Sequence, residues 1–226
     1  MNPNTSPLGL ANLGPLAQLR AGRLPERIAR LLVGLWLYGV SNALLMESVL
    51  GGSPWVVFHQ GASRHLPLSL GAIMVLVAVL VLLLWIPLRQ MPGLGTVANT
   101  FLLGPFTDFN LQLLATPESL PLRWVYLIGG VVMCAIATAL YVGAQLGPGP
   151  RDGLMTGFAR RTGWSIQRVR TGIEIVVLTL GVLMGGVIGF GTLVFALGVG
   201  PLTQFFMRYL VLRLEAPAPK AAAPVS

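Results

Sequence analysis

Displaced by 96 residues, this chain of 226 residues aligns with itself without a gap. Gly95-Thr96 meets Gly191-Thr192, Gly104-Pro105 meets Gly200-Pro201, and Thr107 and Phe109 meet Thr203 and Phe205, six identities in fifteen positions. Upstream the same offset pairs Ala43-Leu44 with Ala139-Leu140, Gly51 with Gly147, Pro54 with Pro150, Gly61 with Gly157, Arg64 with Arg160 and Ser69 with Ser165. A chain of two like halves folds into two like units. In a hydrophobic chain such duplication marks a membrane fold whose binding site lies where the halves meet.

Hydrophobic residues make up 54 % of the chain and charged residues 10 %, with a mean hydropathy of +0.77; a soluble domain carries about 25 % charged residues. The apolar residues run in blocks without strand-like alternation, at approximately 31–50, 69–88, 94–114, 124–146, 171–188 and 191–212. Each has the ~20 residues needed to cross a ~30 Å hydrocarbon core. We therefore expect an all-α polytopic membrane protein with six transmembrane helices. Residues 1–26 read as a cytoplasmic tail and interfacial segment, 27–118 and 119–214 as three-helix repeats, and 215–226 as a low-complexity tail without fixed structure. No cleavable signal peptide is expected, since the first apolar block is long enough to anchor. Cys134 is the single cysteine, so no intrachain disulfide can form.

The net charge of +8 would point to nucleic acid in a soluble protein. Here the cations follow topology instead, so the expected partner is the lipid bilayer and not nucleic acid. With the N-terminus inside, inner segments hold thirteen Arg and Lys residues and outer loops only Arg64 and Arg123, a strong positive-inside bias. Trp55 and Trp124 then fall at outer ends and Trp85 and Trp164 at inner ends. Both termini read as cytoplasmic, in a bacterial plasma membrane. Three spans per repeat is an odd number, so the second repeat runs inverted to the first, as in many transporters.

Gly104-Pro105 and Gly200-Pro201 sit mid-block in the third and sixth spans. Proline removes a donor and clashes with the preceding turn at ~3 kcal/mol, so these pairs predict two helices broken near the membrane centre. Polar residues gather there: Thr107, Asp108 and Asn110 in one span, Thr203 and Gln204 in the other. They read as substrate-binding, Asp108 above all, because an intramembrane carboxylate costs ~2.5–3.5 kcal/mol on insertion scales. The competing reading is kinked helices whose polar groups are satisfied by neighbours. Glu174 with Arg170 at i−4 reads as a coupling pair or as a structural one. Asp152 and Arg151 read as a gate at the inner mouth, with Asp152 able to cap a short helix of about 153–161. Ser69 and Ser165 read as helix caps. The nearby Arg160, Arg161 and Arg168 serve the positive-inside rule, hold headgroups, or form an anion vestibule. His59 and His65 lack partners at metal-ligand spacing, so neither a metal nor another cofactor is expected. Small residues at Gly181, Gly185 and Gly189, and at Ala135, Ala139 and Gly143, suit close helix packing or a homodimer. No enzyme signature is present.

The run Pro150-Arg151-Asp152-Gly153-Leu154-Met155-Thr156-Gly157, followed by Arg160-Arg161-Thr162-Gly163, Ser165-Ile166, Val169-Arg170-Thr171, Ile173-Glu174, Gly185-Gly186, Gly191-Thr192 and Gly200-Pro201, resembles the YczE-type integral membrane proteins of bacteria, which are related more distantly to the YitT type. The resemblance is dense over about 143–205 and implies a bacterial cytoplasmic membrane protein. It carries over no substrate and no catalytic residue. From the residues themselves we expect a small-molecule permease or exporter with its site between the repeats. The alternative is a membrane regulatory or assembly protein that docks a partner on its basic inner face.

Overall fold

The computed structural model describes residues 14–212 and 214 of the chain. The predicted tail at 215–226 and residues 1–13 of the N-terminal segment lie outside the described residues. Among the described residues every regular element is helical: α1 (Pro15–Arg20), α2 (Leu24–Glu47), α3 (Pro54–Ser63), α4 (Leu70–Leu83), α5 (Trp85–Leu88), α6 (Leu94–Leu113), α7 (Leu120–Gly143), α8 (Pro150–Thr162), α9 (Ile166–Leu183) and α10 (Phe190–Leu210).

The 96-residue offset reappears in the helix boundaries. It carries both ends of α2 onto α7 and the first residues of α3, α4 and α6 onto those of α8, α9 and α10. Local chemistry repeats as well. Pro54 and Pro150 open their helices at the first position, where a missing N–H costs nothing. Ser69 Oγ accepts from Ala72 N and Ser165 Oγ from Arg168 N, so both serines cap as expected. Left-handed residues recur in register, at Val49 and Gln145 (φ 56° and 55°) and at Gly51 and Gly147 (92° and 117°).

α2 and α7 pack along each other at the centre, with α6 against α2 and α10 against α7. The turns cross between halves in matched fashion: Gly191 N donates to Leu50 O (2.8 Å) and Gly95 N to Leu146 O (2.7 Å). Each half is thus stitched to the start of the other's last helix. Arg27 adds a buried clasp, donating to the carbonyls of Ala144 and Gln145 at the end of α7. The small residues of α7 and α9 are spent inside this bundle, with Ala135 and Ala139 fully buried and Gly181 against the backbone of Val57 and Phe58.

Several expectations change. Neither Gly-Pro pair breaks its helix: α6 and α10 run through Pro105 and Pro201. Each proline deletes one donor, and the preceding glycine has no Cβ to collide with the ring, so the ladder resumes on both sides. The presumed outer loop folds inward as α3, where Trp55, Val57 and His59 are buried. Trp55 and Trp85 are therefore interior residues, whereas Trp124 and Trp164 are exposed. The end of the expected interfacial segment, residues 24–26, belongs to the first turn of α2. Four segments are long and apolar enough to cross a membrane: α2, α4 with α5, α7 and α10. α6 and α9 have comparable length but carry Asp108 with two asparagines, and Arg168, Arg170 and Glu174, respectively.

Candidate functional site

Trp55 and Arg151 occupy the first turns of α3 and α8, and they are repeat equivalents. The structure lays one on the other, with Arg151 Cζ 4.5 Å from the centre of a Trp55 ring, a cation–π contact. The two short helices thus begin at a common point. Arg151 makes no hydrogen bond or ion pair with any described residue. Its guanidinium is a cation at neutral pH.

A cavity of about 220 Å³ opens beside this pair. Its walls are the first turns of α3 and α8, one face each of α2 and α7, and the facing sides of α9 and α10. Both carboxylates in it already have partners. Asp152 Oδ2 accepts from the Tyr141 hydroxyl at 2.7 Å, and Glu174 Oε1 accepts from Arg170 Nε at 2.8 Å. The Tyr38 and Tyr141 rings stack with centroids 6.0 Å apart. Phe195 and Val199 of α10 give an apolar side, Thr203 and Gln204 a polar one. The cavity exists because α9 has almost no packing against α10.

The equivalent place in the first half is nearly shut. Met74, Ala78, Leu103 and Gly104, the counterparts of Arg170, Glu174, Val199 and Gly200, line a void of about 20 Å³ that also ends on Arg151. Here α4 lies tight on α6. A Cβ built on Gly71 would stand 2.3 Å from Gly104 O, and one on Gly104 2.2 Å from Gly71 O, so only glycines allow this approach. Asp108 seals it. Its Oδ1 accepts from Gly71 N (2.7 Å) and its Oδ2 from Ser69 Oγ (2.5 Å), placing a carboxylate at the N-terminus of α4, where the helix dipole favours it. In the second half the counterpart of Asp108 is Gln204, and no such seal forms.

Of the residues singled out from sequence, the structure brings Arg151, Asp152, Arg170, Glu174, Gly200, Thr203 and Gln204 into one cavity. Asp108, Thr107 and Asn110 lie elsewhere. Asp108 caps α4, Thr107 is buried and donates to Leu103 O, and Asn110 donates to Phe106 O. Asp152 is held by Tyr141 and caps no helix; Gly149 occupies that position in α8. Trp55, Tyr38, Thr138 and Tyr141 were not foreseen in the site. The tyrosines sit at one central level of α2 and α7, and a polar residue inside each apolar span was the available signal. Among the described residues no group of three or more His, Cys, Asp or Glu is placed to hold a metal.

A family model described as a family of unknown function, DUF6198, matches residues 25–208. An uncharacterized protein of Haemophilus influenzae is 38 % identical over 185 residues, covering 82 % of this chain and 85 % of its own length. The uncharacterized membrane protein YczE of Bacillus subtilis is 34 % identical over 201 residues, 85 % of this chain and 93 % of its own. The uncharacterized protein YyaS of the same organism is 27 % identical over 179 residues, 77 % and 89 % respectively. No solved structure matches.

Proposed function

We propose, for a chain that belongs to the DUF6198 family and is a membrane protein of the YczE type, a small-molecule permease or exporter built from two inverted three-helix repeats. In this reading α6 and α9 also cross the bilayer, their polar faces turned inward, and both termini are cytoplasmic. Transport opens the two equivalent pockets in turn. The 220 Å³ cavity between α9 and α10 is the site in its accessible form, and the 20 Å³ void between α4 and α6 is the same site closed. Exchange of the two seam conformations exposes the central Trp55–Arg151 level to the opposite side of the membrane. The observation that carries the reading is this pairing of one open and one closed pocket, matched residue for residue.

Cysteine accessibility tests it. In a Cys134→Ala background, Val199→Cys reports the open pocket and Leu103→Cys its closed counterpart. A membrane-impermeant thiol reagent should reach the two from opposite sides. Asp108→Gln should raise labelling at position 103 and lower it at 199. Labelling of both from one side, or no reciprocal response to Asp108→Gln, would overturn the proposal.

A further inference from the structure

We infer that the α9–α10 cavity takes a small organic monoanion, a carboxylate on an apolar body, with the carboxylate held by the Arg151 guanidinium. This rests on the reading of that cavity as the substrate site, but not on transport.

Charge accounting within the cavity leads there. Four ionised side chains face it. Arg170 and Glu174 are joined to each other, and Asp152 is engaged by Tyr141. Arg151 makes no hydrogen bond to a described residue, since its partner is the face of Trp55 and uses none of its donors, whereas Arg170 already meets a carboxylate through Nε. A guanidinium presents planar, paired N–H donors, a geometry that matches a carboxylate. Half-buried and without a hydrogen-bond partner among the described residues, such a cation gains from a ligand that supplies the missing acceptors.

The same accounting limits the ligand's charge. A dianion such as a phosphate monoester would bring its second charge close to the carboxylates of Asp152 and Glu174, which line the same cavity. The rest of the wall sets the ligand's body. Phe195, Val199 and Met155 offer apolar surface, and Trp55 an aromatic face. A cavity of about 220 Å³ suits a small single-ring acid.

Benzoate serves as the probe, with benzamide as its neutral isostere and phenyl phosphate as the dianion. Equilibrium binding of radiolabelled benzoate is measured on the full chain in nanodiscs, with the other two as competitors. Benzoate should bind saturably and both competitors should displace it poorly. Arg151→Gln should weaken binding by about tenfold or more, the scale of a lost bidentate pair. Arg160→Gln, on the exposed basic surface, should leave it unchanged. Arg151→Lys keeps the charge without the fork, so it should bind more weakly yet still prefer benzoate to benzamide; this variant carries the test should the Gln variant fail to fold. The inference fails if benzamide or phenyl phosphate competes as well as benzoate. It fails equally if Arg151→Gln changes Kd by less than about twofold, or if folded wild-type protein shows no saturable binding up to ~10 mM. Failed transport with binding intact would count against the permease reading alone.

Discussion

The seam between α4 and α6 and the seam between α9 and α10 begin from the same template and end differently. The helices start at equivalent residues, α4 and α9 are capped by equivalent serines, and α6 and α10 carry Gly-Pro at the same place. In the first seam Gly71 meets Gly104 and a carboxylate ties both. In the second the counterpart of Gly71 is Gln167 and that of Asp108 is Gln204, and the helices stand apart around a cavity. A duplicated scaffold therefore need not yield duplicated pockets. Four substitutions on one template, Gln167, Arg170, Glu174 and Gln204 for Gly71, Met74, Ala78 and Asp108, separate a closed seam from an open polar site.

The strongest way to break the closed seam is Gly71→Leu. With no room even for a Cβ, overpacking should cost about 3 kcal/mol, seen as a large fall in thermal stability in detergent. Gly200→Leu, at a position with open space around it, should fall far less. Asp108→Gln makes the two seams chemically alike. Loss of two charge-assisted bonds should cost about 2 kcal/mol, and cysteine accessibility should rise along α4. Ser69→Ala removes both a helix cap and a donor to Asp108, whereas Ser165→Ala removes a cap alone. We expect about 1.5 and about 0.7 kcal/mol, the difference measuring the seam bond. The smallest effect falls on Glu174→Gln, whose i,i+4 pair is partly exposed to the cavity. Its stability loss should stay under about 0.5 kcal/mol, so a loss of function there would report on the site and not on the fold.

Much of this was legible in the sequence. The repeat predicted paired units, and serine placement predicted the caps of α4 and α9. Four charged residues scattered over 151–174 meet at one wall because α8 and α9 bring them together. What escaped was what depends on depth and partners. α3 is only 10 residues long, so a criterion based on crossing a bilayer treats it as a loop, and a tryptophan in a loop reads as interfacial. Asp108 drew attention as an intramembrane acid, but nothing in its own span reveals that the exposed N-terminus of α4 lies beside it. The Gly-Pro pairs were given too much weight. One missing donor is a local cost that surrounding helices absorb.

The contact between Trp55 and Arg151 bears on how such a site could arise. In a homodimer of a single repeat, residues meeting on the two-fold axis would have to be identical. Two arginines there would repel, and two tryptophans would carry no charge. Only with both copies on one polypeptide can such a position hold an aromatic ring from one side and a cation from the other. The covalent link between the halves is thus what allows the molecule a polar, directional centre, which no symmetric assembly of its parts could encode.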